Sequence, residues 1–356
     1  MIWFAVMVGA LLVSAAPAAA AMRPITFETR LGDGTLYGAA SDASTVTLRW
    51  KDAAGHIKAG GEVVASSWGS WSFSAPDGVV LEPGDRLTAS DGLSTHRLAV
   101  PYLKAVANRV KNVFKGSAPP GSRLSIECFW PGQPVPDIAC QRIQLRVNEQ
   151  GHWWHYPGWN IEGGDGAELR WRSPEGDAVY FSVEAPYVVV TIGTSQVTGN
   201  GRQHSNAVVS LKDSGGHLIG SSLSQIGFRQ AFTGTFRDGS GNRVRVEPGQ
   251  RLAANVAADA NFIVPEIHAT GDTDTETVSG YCEDTGRSAH EVWIRVYRAG
   301  VRRGFAITET AADGSFAQVM TDVWFPDASV IKHGDRLLIS CLQKNRDFVQ
   351  QWFAVP

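Results

Sequence analysis

Charge is scarce in this sequence. Asp, Glu, Lys and Arg make up 19% of its 356 residues and the formal net charge is −3, below the usual quarter of charged residues. Nothing in that balance favours nucleic acid or an anionic membrane as a partner. Lysine is rarer still, 8 against 24 arginines, a bias we read as compositional. No apolar run long enough to span a bilayer occurs beyond the N-terminus, and no segment shows the 3.6-residue periodicity of an amphipathic helix. There are four cysteines and no Cys-x-x-Cys, which removes the usual zinc spacings. A Gly-x-Ser-x-Gly elbow, a His-Glu-x-x-His pair and a P-loop are all missing. No catalytic residue, cofactor or metal ligand is therefore expected. His152 and His155 resemble a metal pair, but three residues apart on a strand they point to opposite faces. The acids of Asp272-Thr273-Asp274-Thr275-Glu276 could serve calcium, and solvated loop carboxylates are the commoner reading.

What is present is a repeat. The chain runs four times into the same ending, Val100-Pro101, Ala185-Pro186, Val264-Pro265 and Val355-Pro356, about 80–90 residues apart. Each repeat reaches a hydrophobic-x-Gly step: Leu36-Tyr37-Gly38, Phe114-Lys115-Gly116, Val197-Thr198-Gly199 and Val278-Ser279-Gly280. An alternating strand follows, such as Val46-Thr47-Leu48-Arg49-Trp50, with one face for a core and one for water. Next comes an aromatic strand: Trp71-Ser72-Phe73, Trp153-Trp154-His155-Tyr156, Phe232-Thr233-Gly234-Thr235-Phe236 and Asp313-Gly314-Ser315-Phe316. A Gly-acid turn closes the series at Gly84-Asp85, Gly164-Asp165, Gly249-Gln250 and Gly334-Asp335. About seven short strands in such a length is the scale of a β-sandwich.

This order resembles the bacterial immunoglobulin-like (Big-type) tandem repeats of secreted and surface proteins. Asp313-Gly314-Ser315-Phe316 and Gly334-Asp335-Arg336-Leu337 match best, and the second repeat departs most, with an insertion between Cys128 and Cys140. The resemblance implies an all-β chain of four tandem Ig-like β-sandwich domains in an extended arrangement, over residues 22–101, 102–186, 187–265 and 266–356. The Pro-containing junctions are short and stiff, so each repeat is expected to fold largely by itself.

Residues 1–21 read as a signal peptide, an apolar run followed by Ala-x-Ala, although no Lys or Arg precedes it. Retention as an N-terminal anchor is the competing reading. The mature chain is expected to be secreted or held at the cell surface, with no membrane span. An even cysteine count in an exported chain suggests disulfides within repeats, Cys128 with Cys140 and Cys282 with Cys341; free buried thiols are the alternative. The densest aromatic cluster is Trp153, Trp154 and Trp159. Adjacent strand residues face opposite ways, so one of the first two is exposed and is the candidate ligand or partner contact. Trp293 is expected to face outward under an edge or a neighbouring domain. The leading expectation is a non-catalytic structural or adhesive protein that contacts a protein, cell wall or glycan, or copies of itself. A carbohydrate-binding array and a subunit of an extracellular hydrolase are the alternatives.

Overall fold

The computed structural model describes residues 23–129, 138–227, 230–283, 291–320, 330–343 and 346–356. The expected leader and most of the insertion before Cys140 lie outside them. Every regular element among the described residues is a strand. The first repeat holds β1 (Thr26–Arg30), β2 (Thr35–Ala39), β3 (Thr45–Lys51), β4 (Ile57–Val64), β5 (Ser70–Ser74), β6 (Arg86–Ser90) and β7 (Thr95–Ala99). The second holds β8 (Lys104–Asn108), β9 (Val113–Ser117), β10 (Arg123–Phe129), β11 (Ile138–Arg146), β12 (His152–His155), β13 (Gly166–Arg172) and β14 (Ala178–Glu184). The third holds β15 (Tyr187–Thr191), β16 (Gln196–Asn200), β17 (Ser205–Lys212), β18 (Leu218–Ile226), β19 (Ala231–Thr235), β20 (Arg251–Ala254) and β21 (Asn261–Ile263). The fourth holds β22 (Ile267–Asp272), β23 (Thr277–Cys282), β24 (Glu291–Arg298), β25 (Val301–Glu309), β26 (Ser315–Val319), β27 (Arg336–Leu342) and β28 (Phe348–Ala354).

The same pairing recurs in each repeat. The first, second and fifth strands form one sheet, and the fourth, third, sixth and seventh, in that order, form the other. This is an immunoglobulin-like sandwich. Alternation places the core: on β3, Val46, Leu48 and Trp50 are buried between exposed neighbours.

Two recurrent sequence signals acquire physical causes. The glycine of each hydrophobic-x-Gly step pairs with the aromatic of the fifth strand: Gly38 with Trp71, Gly116 with Trp153, Gly199 with Phe232 and Gly280 with Phe316. A Cβ at any of the four would collide with that ring and with a carbonyl of the first strand. The ring lies where a side chain would otherwise stand. The Gly-acid turn and the X-Pro ending are partners of each other. Gly84 N–H donates to Val100 O and Val100 N–H to Asp85 O, and the same pair joins Gly164 and Asp165 to Ala185, Gly249 and Gln250 to Val264, and Gly334 and Asp335 to Val355. These glycines sit at φ of 80–91°, where a Cβ is strained. The next side chain accepts from the N–H three residues earlier, as in Asp85 to Glu82, Asp165 to Glu162, Gln250 to Glu247 and Asp335 to Lys332. The following proline has no N–H and ends the pairing.

By internal contacts the chain forms two compact units. One comprises the described residues up to Val100 with Ser173–Asp177; the other comprises Pro101–Arg172 with Ala178–Pro356. In the first, Asp85 is buried and accepts from Trp50 Nε1 (2.8 Å) and Lys58 Nζ (3.0 Å). The second unit contains the second, third and fourth repeats. The third and fourth repeats share one continuous apolar core, from Val188 through Val264 to Val355. Strand β15 also pairs in parallel with β28, Val189 opposite Phe348 and Val190 opposite Val349. Two edge strands with unpaired backbone groups satisfy one another there.

A buried ionic latch joins three repeats of this unit. Arg109, on the turn after β8, donates from Nε to Asp259 (2.6 Å), from Nη1 to the Pro186 carbonyl (2.9 Å) and from Nη2 to Asp347 (3.1 Å). Asp347 also accepts from Val188 N–H at 2.9 Å. Beside it, Arg346 reaches Glu162 (2.8 Å), Asp165 (2.9 Å) and Glu291 (3.3 Å).

One guanidinium thus serves three carboxylates. Burial raises the Asp165 pKa to about 6, helped by the charges of Glu162 and Glu291 and opposed by the Glu162 N–H and Arg346. A carboxyl whose folded pKa is raised contributes stability that is fully present below its unfolded value and is lost as pH rises through the folded value. Asp165 should therefore cost about 3 kcal/mol of stability between pH 4 and 7. Urea midpoints across that range should fall less in Asp165→Asn than in the parent; parallel curves would refute the assignment.

Candidate binding surfaces

The aromatic strand of the second repeat is β12, whose two tryptophans separate as alternation requires. Trp153 is 2% exposed and packs over Gly116, whereas Trp154 is 56% exposed. Trp159 is half-buried. His152 is exposed, while His155 on the other face is half-buried, and burial lowers its pKa. Trp154 lies in register with Lys115, and Lys115 with Val106, a row across the three-stranded sheet. The same register gives Ser72, Thr233 and Ala317 at the position of Trp154 in the other repeats. The fold does not ask for a large ring there.

A second surface, which the sequence reading did not single out, is the outward face of the four-stranded sheet of the fourth repeat. On β24, Val292, Ile294 and Val296 enter the core, so Trp293, Arg295 and Tyr297 face the other way. Phe305 from β25, Arg336 and Ser340 from β27, and Phe348, Gln350 and Trp352 from β28 share that face by register. Guanidinium groups lie on its rings: Arg336 is 4.4 Å from the centre of Trp352, Arg302 is 5.8 Å from Phe305, and Arg295 is 5.2 Å from Trp293 and 5.7 Å from Phe305. Arg295 donates to Ser340 Oγ at 3.1 Å. Burial lowers its pKa, and among the described residues it pairs with no carboxylate. Trp293 is covered as expected of a domain contact: Leu342 and Phe348 pack on it, with Tyr187 and Val189 of the third repeat.

Between these walls lies a cleft of about 260 Å³. Tyr187, Trp293 and Phe348 line it, with Arg295, Ser340 and Gln350 as polar groups. Glu184 also lines it, its carboxyl pushed up by burial and held by Asn200 Nδ2 at 2.6 Å. A larger groove of about 420 Å³ runs along Ala105–Lys111 and Asn255–Ala258, at the Arg109 latch.

Cys282 on β23 and Cys341 on β27 are bonded across the two sheets of the fourth repeat, Cα to Cα 6.2 Å. Cys128 is disulfide-bonded, and the β10–β11 register places Cys140 opposite it; the Cys140 side chain lies outside the described residues. Asp272, in the β22–β23 turn, accepts from the N–H groups of Asp274 and Thr275. Among the described residues no group of three or more His, Cys, Asp or Glu is placed to hold a metal ion, and no helix is long and apolar enough to cross a membrane.

No family model matches the chain, and no curated protein matches it. Among solved structures it is similar to a tetra-tandem repeat in the extending region of a large adhesion protein. That match is 16% identical, covers 94% of this chain and 100% of the other, and has a TM-score of 0.20. The BSP domain of a biofilm-associated protein is 7% identical over 96% and 99%, at a TM-score of 0.19. The FN1–FN3 domains of chicken CNTN1 are 9% identical over 93% and 97%, at 0.21. Likenesses at these scores decide nothing about function.

Proposed function

We propose that this chain is a non-catalytic, exported repeat protein that works by adhesion at a cell surface or in the extracellular matrix. One observation carries the reading. The internal fastenings, glycine against ring and Gly-acid turn against X-Pro ending, are the same in all four repeats, while the outward faces differ. Scaffold is kept constant and contact surface is varied, which suits recognition on a sandwich frame. The finer parts of the proposal are four domains with boundaries near Pro101, Pro186 and Pro265, a cleaved leader, and intra-repeat disulfides including Cys128 with Cys140. Trp154 supports a second contact, with a sugar ring or a protein partner, because it is exposed where the other repeats have small residues.

The test uses the whole mature chain, fluorescently labelled, on intact cells and isolated envelope of its own source. Saturable retention on either is the expected result. Absence of retention, together with a single monomeric species in sedimentation across concentrations, would overturn the reading.

A further inference from the structure

The outward face of the fourth repeat carries a small apolar cluster, Trp293, Leu342 and Phe348, and beside it cations are set on rings. A guanidinium stacked on an aromatic face keeps its in-plane N–H donors directed at the surroundings, in the fork geometry that suits an oxygen anion. Part of the ordering cost of binding is met in advance. Arg302 and Arg336 are exposed in this way on Phe305 and Trp352. Arg295 stands behind them, stacked on Trp293 and Phe305 at the cleft. From it a row of polar side chains crosses four strands: Arg295 to Ser340 (3.1 Å), Ser340 to Gln350 (3.4 Å) and Gln350 to Thr191 (2.9 Å). Hydrogen-bonding groups between aromatic walls, in a cleft near the small end of ligand sites, suit a sugar ring with polar edges and an apolar face.

We propose that this face binds an acidic polysaccharide, with carboxylates on Arg302 and Arg336 and one ring in the cleft beside Arg295. The proposal deepens the adhesive reading and rests on it for its biological setting. Single-stranded nucleic acid is the other polyanion to weigh. Base stacking needs bare ring faces, and here guanidinium groups lie over Trp352, Phe305 and Trp293. A carboxylate needs only the guanidinium edges.

The experiment is affinity electrophoresis of the full chain through gels containing polygalacturonate or neutral dextran, with oligothymidylate anisotropy in parallel. Polygalacturonate should retard the chain and dextran should not, and salt should weaken the effect. The double variant Arg302→Gln, Arg336→Gln should bind polygalacturonate about tenfold more weakly, as expected for losing two screened charge contacts. Both positions are exposed, so an unchanged near-ultraviolet circular dichroism spectrum will show that the fold is kept. Three results overturn the proposal: no retardation by polygalacturonate, equal retardation of the double variant, or tighter binding to oligothymidylate. Envelope retention that survives in the double variant also counts against this face while leaving adhesion standing. Polygalacturonate binding without envelope retention supports the face and removes the adhesive reading.

Discussion

Arg109→Ala should destabilise the second unit by about 3–5 kcal/mol at neutral pH, the range for breaking a buried ion pair from one side. The substitution leaves Asp347, 1% exposed, with the Val188 N–H as its remaining hydrogen-bond donor in the latch. It also removes a donor from the Pro186 carbonyl and the cation from Asp259. Burial already raises the Asp347 pKa with Arg109 in place, so removing the guanidinium pushes it further up. A raised carboxyl favours the folded state most when it is protonated. The loss should therefore shrink as pH falls, which urea unfolding of parent and variant at several pH values would measure. Arg109→Met combined with Asp347→Leu should recover much of the loss, since two apolar groups leave no buried charge. A cost under about 1 kcal/mol, or one independent of pH, would show that the latch is incidental to packing.

That latch marks where the sequence stops being informative. Gly38, Gly116, Gly199 and Gly280 announce themselves because a local backbone demand, the close approach of a ring and a carbonyl, recurs at fixed spacing. The Gly-acid turns do so because positive φ calls for glycine. Arg109 and Asp347 are 238 residues apart and belong to no periodic pattern; their meeting depends on how whole repeats pack. The same limit hid the outward face of the fourth repeat. Alternation puts Trp293, Arg295 and Tyr297 on one side of β24, and Arg336 and Trp352 are equally readable as outward. What periodicity does not carry is the lateral strand order β25-β24-β27-β28, which brings those side chains together. The arginine excess, compositional at first sight, is in part a placed feature of that face. The joining of the third repeat to the fourth was hidden for a related reason. The pairing of β15 with β28 is set by two unpaired edges, and neither edge leaves a mark in its own strand.

Two neighbouring tryptophans offer the sharpest contrast in the molecule. Trp153→Ala should cost about 3–5 kcal/mol, the usual range for emptying a large aromatic site in a core. Its ring covers Gly116, which can supply no side chain to fill the space, and the site is closed by the β8 backbone beyond. Collapse around the cavity is therefore restricted, which favours the upper part of the range. Trp154→Ala, one residue along, should change stability by no more than about 0.5 kcal/mol, because its side chain is mostly in solvent and surface substitutions are small. The other repeats fold with Ser72, Thr233 and Ala317 at that place. If Trp154 is a contact residue, its loss should lower retention on the native surface while the urea midpoint stays put. One stacking contact is worth about 0.5–1.5 kcal/mol, so the loss per molecule would be small and would show best on a dense surface where many copies bind together. Measuring both variants by urea unfolding and by envelope retention separates the roles. A large stability loss in Trp154→Ala, or a negligible one in Trp153→Ala, would reverse the assignment of the two faces.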